Sequence, residues 1–318
     1  MDLVRKWIAR REISALIMLL ALCGIFQAAN PVFLSWANMG AMFRALSLPG
    51  IMAIGMAICL ISGAIDLSVG ASAGFAASLS SVLMMRLDYP IWFAILAAIA
   101  VSALIGLLNY IAIYRLKIIA FIATIGMMYV LKSVANWITN GTSVYPIPET
   151  VVQFGQAQPL GVSWSFWIFL VLLIIAEIVL SQTVWGLEVR ATGSNRETAR
   201  DTEVRIEFVS VSVLILLGAL AGLSGVLAMS RVAAGNPTIG TGWEFQAILA
   251  CALGGVSLFG HDGSLFGMFL GLLLMQTITT GLVEIGVNPY LEGAIMGVLL
   301  ICALALDVQK RTAMRVEE

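Results

Sequence analysis

The run Ile91-Trp-Phe-Ala-Ile-Leu-Ala-Ala-Ile-Ala-Val-Ser-Ala-Leu-Ile-Gly-Leu-Leu-Asn-Tyr-Ile-Ala-Ile113 holds 23 residues without a single charged side chain. At 1.5 Å per residue, a helix over this run reaches about 35 Å, more than the roughly 30 Å of hydrocarbon in a bilayer. Comparable apolar segments lie at about 13–29, 45–63, 67–85, 118–138, 164–181, 207–230, 244–258, 264–283 and 289–306. The expected fold is therefore an all-α polytopic membrane protein with about ten transmembrane helices, forming one transmembrane domain over residues 1–318. The segment 244–258 is short and runs into a glycine-rich turn, so it is expected to be kinked, tilted or re-entrant.

Composition agrees with this reading. Of 318 residues 60% are hydrophobic and 11% charged, against about half and a quarter in soluble chains, which excludes an ordinary soluble enzyme. A formal net charge of -1 lacks the basic face that nucleic acid demands. Basic residues stay on the cytoplasmic side of a membrane. With ten spans and both termini cytoplasmic, only Arg44, Arg86, Lys132 and Arg231 of the 17 Lys and Arg fall outside. Arg5, Lys6, Arg10 and Arg11 precede the apolar run Ile13–Ala29. That run is longer than most signal-peptide cores and another span follows soon after, so a retained first helix is expected.

None of the four lysines follows a glycine, so the chain has no Gly-Lys-Ser/Thr loop to cradle nucleotide phosphates. If ATP drives it, another polypeptide hydrolyses the ATP. The sequence also lacks the metalloprotease, nucleophile-elbow and dinucleotide fingerprints, and His261 is its one imidazole. No catalytic residue, metal ligand or cofactor is expected on the chain itself. Cys23, Cys59, Cys251 and Cys302 sit in apolar runs without a C-x-x-C pair and read as packing residues.

Two loops are long. The external one, about 139–163, is broken by Pro146, Pro148 and Pro159 and suits contact with an outside partner. The cytoplasmic one, about 182–207, contains Ser194-Asn-Arg-Glu197, a capping box that predicts a short helix from about Asn195 to Glu203. Arg190, Arg196, Arg200 and Arg205 stand there against Glu188, Glu197, Asp201, Glu203 and Glu207. A binder of anionic lipid would be strongly basic, so this mixture reads either as a surface that docks another protein or as a solvated linker helix.

Two further stretches interrupt the apolar pattern. In Ile61-Ser-Gly-Ala-Ile-Asp-Leu-Ser-Val-Gly70, a carboxylate at a helix centre in lipid would cost about 2.5–3.5 kcal/mol, so Asp66 needs a function or a partner. Asp66 and Ser68 either line a polar path through a broken helix or accept backbone N–H groups at the start of the helix near Leu67. In Leu253-Gly-Gly-Val-Ser-Leu-Phe-Gly-His-Asp-Gly-Ser-Leu-Phe-Gly267, Asp262 or Ser264 can cap the next helix, and His261 is either a pH-responsive group or a polar loop residue. Asn109, Gln246 and Gln276 add neutral polar groups, and Glu177, Glu244, Glu284 and Glu292 lie in or beside spans. Asp66, Ser68, Asn109 and Gln246 are the candidates for a translocation path, one better suited to a neutral polyol than to an ion.

Together, Ser62-Gly-Ala-Ile-Asp-Leu-Ser-Val-Gly70, Ala191-Thr-Gly-Ser-Asn-Arg-Glu-Thr-Ala199 and Leu253-Gly-Gly-Val-Ser-Leu-Phe-Gly260 resemble the permease subunits of bacterial ABC importers in the ribose/xylose/autoinducer-2 group. Phe121-Ile-Ala-Thr-Ile-Gly-Met-Met128 and Thr139-Asn-Gly-Thr-Ser143 look similar to ribose-type permeases, and the likeness runs from about Asn30 to Asp307. The resemblance implies a multi-pass protein of the bacterial inner membrane, embedded in lipid and paired with a second permease subunit, identical or homologous. It further implies ABC ATPase subunits, which carry the ATP and Mg, and a periplasmic sugar-binding protein. Gly193, Ser194, Asn195, Glu197 and Ala199 would then form the coupling helix that meets the ATPase. This chain departs from the usual pattern at Thr198-Ala199, Thr202-Glu203 and Gly260-His261. The competing expectation is an ion-coupled secondary transporter or channel that acts alone.

Overall fold

Four of the described helices begin where a short polar side chain accepts a backbone N–H that the first turn leaves free. Ser35 Oγ accepts from Asn38, Thr183 Oγ1 from Gly186, Asn195 Oδ1 from Glu197 and Thr198, and Ser264 Oγ from Gly267. The computed structural model describes residues 11–305 apart from 259, 261, 292 and 304. The expectations placed on His261, on Glu292 and on the basic residues near both chain ends lie outside the described residues.

The described helices are α1 (Arg11–Ala29), α2 (Trp36–Ile61), α3 (Val69–Met85), α4 (Ile91–Tyr110), α5 (Ala120–Thr139), α6 (Glu149–Gln156), α7 (Trp164–Gln182), α8 (Val184–Ser194), α9 (Arg196–Asp201), α10 (Ile206–Val232), α11 (Trp243–Leu253), α12 (Leu265–Glu284) and α13 (Gly293–Ala303). A π turn, Ile111–Arg115, extends α4. Among the described residues the only extended pairing is one antiparallel bridge between Val144 and Gly235. Seven of the described helices are long and apolar enough to cross a membrane, and α3, α11 and α13 are shorter apolar helices. Every expected apolar segment is thus matched by a helix. The largest difference is at α2, which starts nine residues before the expected Ala45. Hydropathy stops at Arg44, but the cap at Ser35 starts the helix, and Arg231 donates to the Arg44 carbonyl at 2.8 Å.

Helix α2 is the axis of the fold. Its Ile51, Met52, Met56 and Leu60 are fully buried, packed among Phe169 of α7, Leu217 of α10, Leu249 of α11 and Leu272 of α12. A helix apolar on every face belongs inside the bundle. By contrast, Leu20, Trp92, Ile122 and Val171 on α1, α4, α5 and α7 are more than half exposed, the apolar outer surface that lipid contact requires. Helix α11 has 11 residues, about 16 Å, or half a bilayer. The non-helical stretch before it lies against α3, where side chains at Gly70 and Gly74 would collide with the carbonyls of Gly240 and Ile239. Irregular backbone is tolerable in a membrane protein when other protein covers it in this way.

The helices define two ends. At one, Asn30 donates to the Glu284 carboxylate, Arg86 to the carbonyls of Ile138 and Thr139, and Gln156 to that of Arg231. Short α6 and the segment about it sit at this end. At the other, loop 62–68, the π turn, α8, α9 and the turn 254–264 converge.

Candidate functional site

The second end is built on glycine. Gly63 and Gly260 adopt left-handed φ values of 78° and 105°, which an L side chain disfavours. Both press on Gly193 near the end of α8. A Cβ on Gly260 would come within 2.4 Å of the Gly193 carbonyl oxygen, and one on Gly63 within 3.5 Å of its Cα. The three motifs singled out in the sequence, 62–70, 191–199 and 253–267, therefore meet at one point.

Around that junction α8 and α9 are held from below and left open above. Arg190 donates to the Gly263 carbonyl at 2.9 Å, and Arg205 pairs with Glu188 at 3.2 Å. Ser194, Asn195 and Glu197 are exposed, with Thr198, Arg200 and Asp201 beside them, whereas Gly193 is half-buried and Ala199 is buried. Of the five expected docking residues, three face outward and two fasten the segment to the body. The capping box does not form as expected. Ser194 is the last residue of α8, because the backbone turns extended at Asn195, and Asn195 caps α9 instead. Helix α9 ends at Asp201 rather than Glu203, which takes a left-handed φ of 62°.

Asp66, Ser68 and Asn109 come together as one buried cluster. Asp66 Oδ1 accepts from the Ser68 N–H at 2.7 Å and from its hydroxyl at 2.6 Å. Asn109 Nδ2 donates to Asp66 Oδ2 at 2.7 Å and to Ser68 Oγ at 2.9 Å. All three residues are at most 2% exposed. Asp66 thus closes a turn on Ser68, the cap residue of α3, and ties it to α4. Ser68 occupies the cap position of α3 without a side-chain cap bond, so of the two hydrogen-bond acceptors expected there, only Asp66 takes a backbone N–H. The fourth path candidate, Gln246, lies elsewhere. With Thr241, Phe245, Tyr290, Gly293 and Gly297 it lines a cavity of about 780 Å³ between α11 and α13.

Other polar residues acquire partners that hydropathy did not foretell. Glu177 of α7 accepts the Leu265 N–H at 3.1 Å, and the Ser264 hydroxyl bonds to Glu12, so α12 starts in a polar collar. Glu244 is buried against Gly70, and its Oε2 has no hydrogen-bond partner. Arg196 reaches Ser210 and the ring of Tyr114. Cys59 and Cys251 are buried packing residues as expected, whereas Cys302 is exposed on α13. Removing the α12 cap with Ser264→Ala is expected to lower stability by about 1 kcal/mol, read as a lower unfolding midpoint in detergent.

The sequence from residue 38 to 304 matches the family model described as branched-chain amino acid transport system / permease component. The chain is 30% identical to the ribose import permease protein RbsC of Escherichia coli (strain K12), covering 96% of each chain. It is 32% identical to the autoinducer 2 import system permease protein LsrC of Enterobacter sp. (strain 638), covering 98% of this chain and 90% of that one. Similarity to the L-arabinose transport system permease protein AraH of Escherichia coli (strain K12) is 30%, over 98% and 94% of the two chains.

Proposed function

The chain belongs to the branched-chain amino acid transport system / permease component family, and on that premise we propose that it is the membrane-spanning subunit of an ATP-binding-cassette importer for a small neutral sugar or polyol. It is a transport subunit and not an enzyme; the ATP and Mg belong to separate ATPase subunits. One observation carries the reading: a capped, outward-facing α9 rests on a junction shared by three loops from different parts of the bundle. A push on α9 is delivered to loops 62–68 and 254–264 at once. Exposed Ser194, Asn195 and Glu197 form the ATPase contact, while Gly193 and Ala199 transmit it.

That end faces the cytoplasm in this reading, with ten spans and both termini on the cytoplasmic side of the inner membrane. Arg44, Arg86 and Arg231, three of the four basic residues assigned outside, make their contacts at the opposite end, which supports the orientation. A second permease subunit completes the membrane core. A periplasmic binding protein delivers solute to the end carrying α6. Among the described residues, the polar side chains at the cavity by α11 are Gln246, Thr241 and Tyr290, all neutral. An amino acid would present an ammonium and a carboxylate to be matched, whereas a sugar presents hydroxyls, and that difference favours the ribose-like branch of the family.

Reconstituted with the ATPase that co-purifies with it and a cognate binding protein, the chain is expected to accumulate labelled D-ribose, D-xylose or L-arabinose in liposomes only with ATP. Reconstituted by itself it is expected to accumulate none. Concentrative uptake by the isolated chain on an ion gradient would establish the solitary transporter instead.

A further inference from the structure

We infer that Arg196 and Tyr114 form a strut that carries the movement of α9 through α4 to the start of α3, making them positioning residues for transport that lie outside the docking surface itself. The inference rests on the reading of α9 as the ATPase contact and extends it inward. Arg196 is the first residue of α9. Its guanidinium sits 4.1 Å from the centroid of the Tyr114 ring and donates to Ser210 of α10 at 2.8 Å. No carboxylate among the described residues lies within ion-pair distance of it. The aromatic face and the Ser210 hydroxyl are therefore its partners.

Tyr114 belongs to the π turn Ile111–Arg115. Such turns are rare interruptions of the α-helical ladder and are frequent at functional sites. Its ring lies 5.4 Å from that of buried Tyr110. The residue before Tyr110 is Asn109, whose amide holds Asp66 and Ser68 at the cap of α3. The first turns of α3 bear in turn on the backbone 237–240, which leads into α11 and the cavity at Gln246. From the exposed helix to that cavity the contacts are serial: Arg196, Tyr114, Tyr110, Asn109, Asp66 and Ser68. A carboxylate buried at a break between helices, with an amide of a third helix as partner, is a costly arrangement. It is accounted for if the α3–α4 tie has to transmit force.

Adjacency alone does not establish coupling, and a double-mutant cycle does. The measurement is solute accumulated per ATP hydrolysed by the reconstituted importer, with D-ribose, D-xylose and L-arabinose as probes. Tyr114→Leu and Arg196→Gln are each expected to lower this ratio about tenfold, with hydrolysis continuing and the ATPase still co-purifying in stoichiometric amount. Tyr114→Phe keeps the aromatic face and is expected to restore the ratio to within about twofold. Combining Arg196→Gln with Asn109→Ala should cost no more than the worse single change, since both cut one line; independent sites would multiply to about a hundredfold. Arg196→Gln retains a donor for Ser210 and carries the test if Tyr114→Leu does not assemble. An unchanged ratio in Arg196→Gln, or a multiplicative double mutant, overturns the strut. Should the docking variant Asn195→Pro with Glu197→Arg leave stimulated hydrolysis intact, the ATPase contact itself is misassigned. If instead that variant abolishes hydrolysis while Arg196→Gln transports normally, docking stands and the strut alone fails.

Discussion

Asn195→Pro combined with Glu197→Arg is expected to abolish the ATP hydrolysis that binding protein and solute stimulate in the assembled importer, while the chain still inserts and folds. Asn195 caps α9 through Oδ1, which accepts the N–H groups of both Glu197 and Thr198, and its own N–H reaches the Ala191 carbonyl at 3.4 Å. Its φ is -155°, far from the -65° to which proline is confined, so the substitution removes the cap, a donor and the native backbone conformation together. Loss of the cap alone is worth about 1 kcal/mol. Helix α9 has six residues, too few to persist without its caps. Reversing the charge at Glu197 adds about 0.3–1 kcal/mol against the helix N-terminus and changes the sign of the outward face. The body is spared because both side chains are exposed and the anchors of α8, Arg190 on Gly263 and Gly193 at the junction, remain. Membrane fractionation and an unfolding midpoint near that of the parent would show the fold intact. Full stimulation in such a protein would remove α9 from the coupling pathway.

How much of this was legible before the structure follows from what hydropathy measures. It is a local sum, so it locates apolar segments well and marks α11 as too short for a full span. It misplaces the start of α2, where the cap at Ser35 and a hydrogen bond to the Arg44 backbone prolong a helix through a charged residue. Asp66 stood out because a carboxylate in an apolar run is expensive. Asn109 was visible as a polar residue in the run 91–113, but its pairing with Asp66 depends on the register of α3 against α4, which no local pattern encodes. The same limit applies at the cytoplasmic loop. The motif at Ser194 looked like a capping box, yet the preceding helix absorbs Ser194 and passes the cap to Asn195. Arg196 was one of four arginines among five acids, and only tertiary contact with Tyr114 and Ser210 distinguishes it. Convergence of the three motifs was likewise unreadable, since each lies in a different part of the sequence.

The packing of α4 on α10 supplies the other large effect: Gly218→Leu is expected to yield a chain that inserts but does not fold. A Cβ on Gly218 would approach the Ser102 carbonyl oxygen to 2.3 Å, and one on Gly106 would approach the Leu214 carbonyl oxygen to 2.1 Å. The obstacles are backbone atoms, so no rotamer change can relieve them, and the two helices must separate along their whole contact. In lipid this separation is not opposed by exclusion of water, because hydrocarbon tails solvate a leucine as well as a neighbouring helix does. What is lost is close packing, on which helix association in membranes depends. Overpacking typically costs about 1–3 kcal/mol, and clashes with rigid backbone at this distance place Gly218→Leu at or above about 3 kcal/mol. Since α10 also carries Leu217 into the core around α2 and Ser210 beneath Arg196, displacement of α10 reaches both the core and the coupling end. The expected result is a membrane-fraction protein that aggregates on gel filtration in detergent. Gly126 of α5, where a methyl group would meet nothing within 4 Å, provides the contrast. Gly126→Ala should leave the elution profile unchanged and raise the midpoint slightly, by up to about 1 kcal/mol of helix propensity. A monodisperse Gly218→Leu with the parental midpoint would mean that α4 and α10 are held together by something other than this glycine contact.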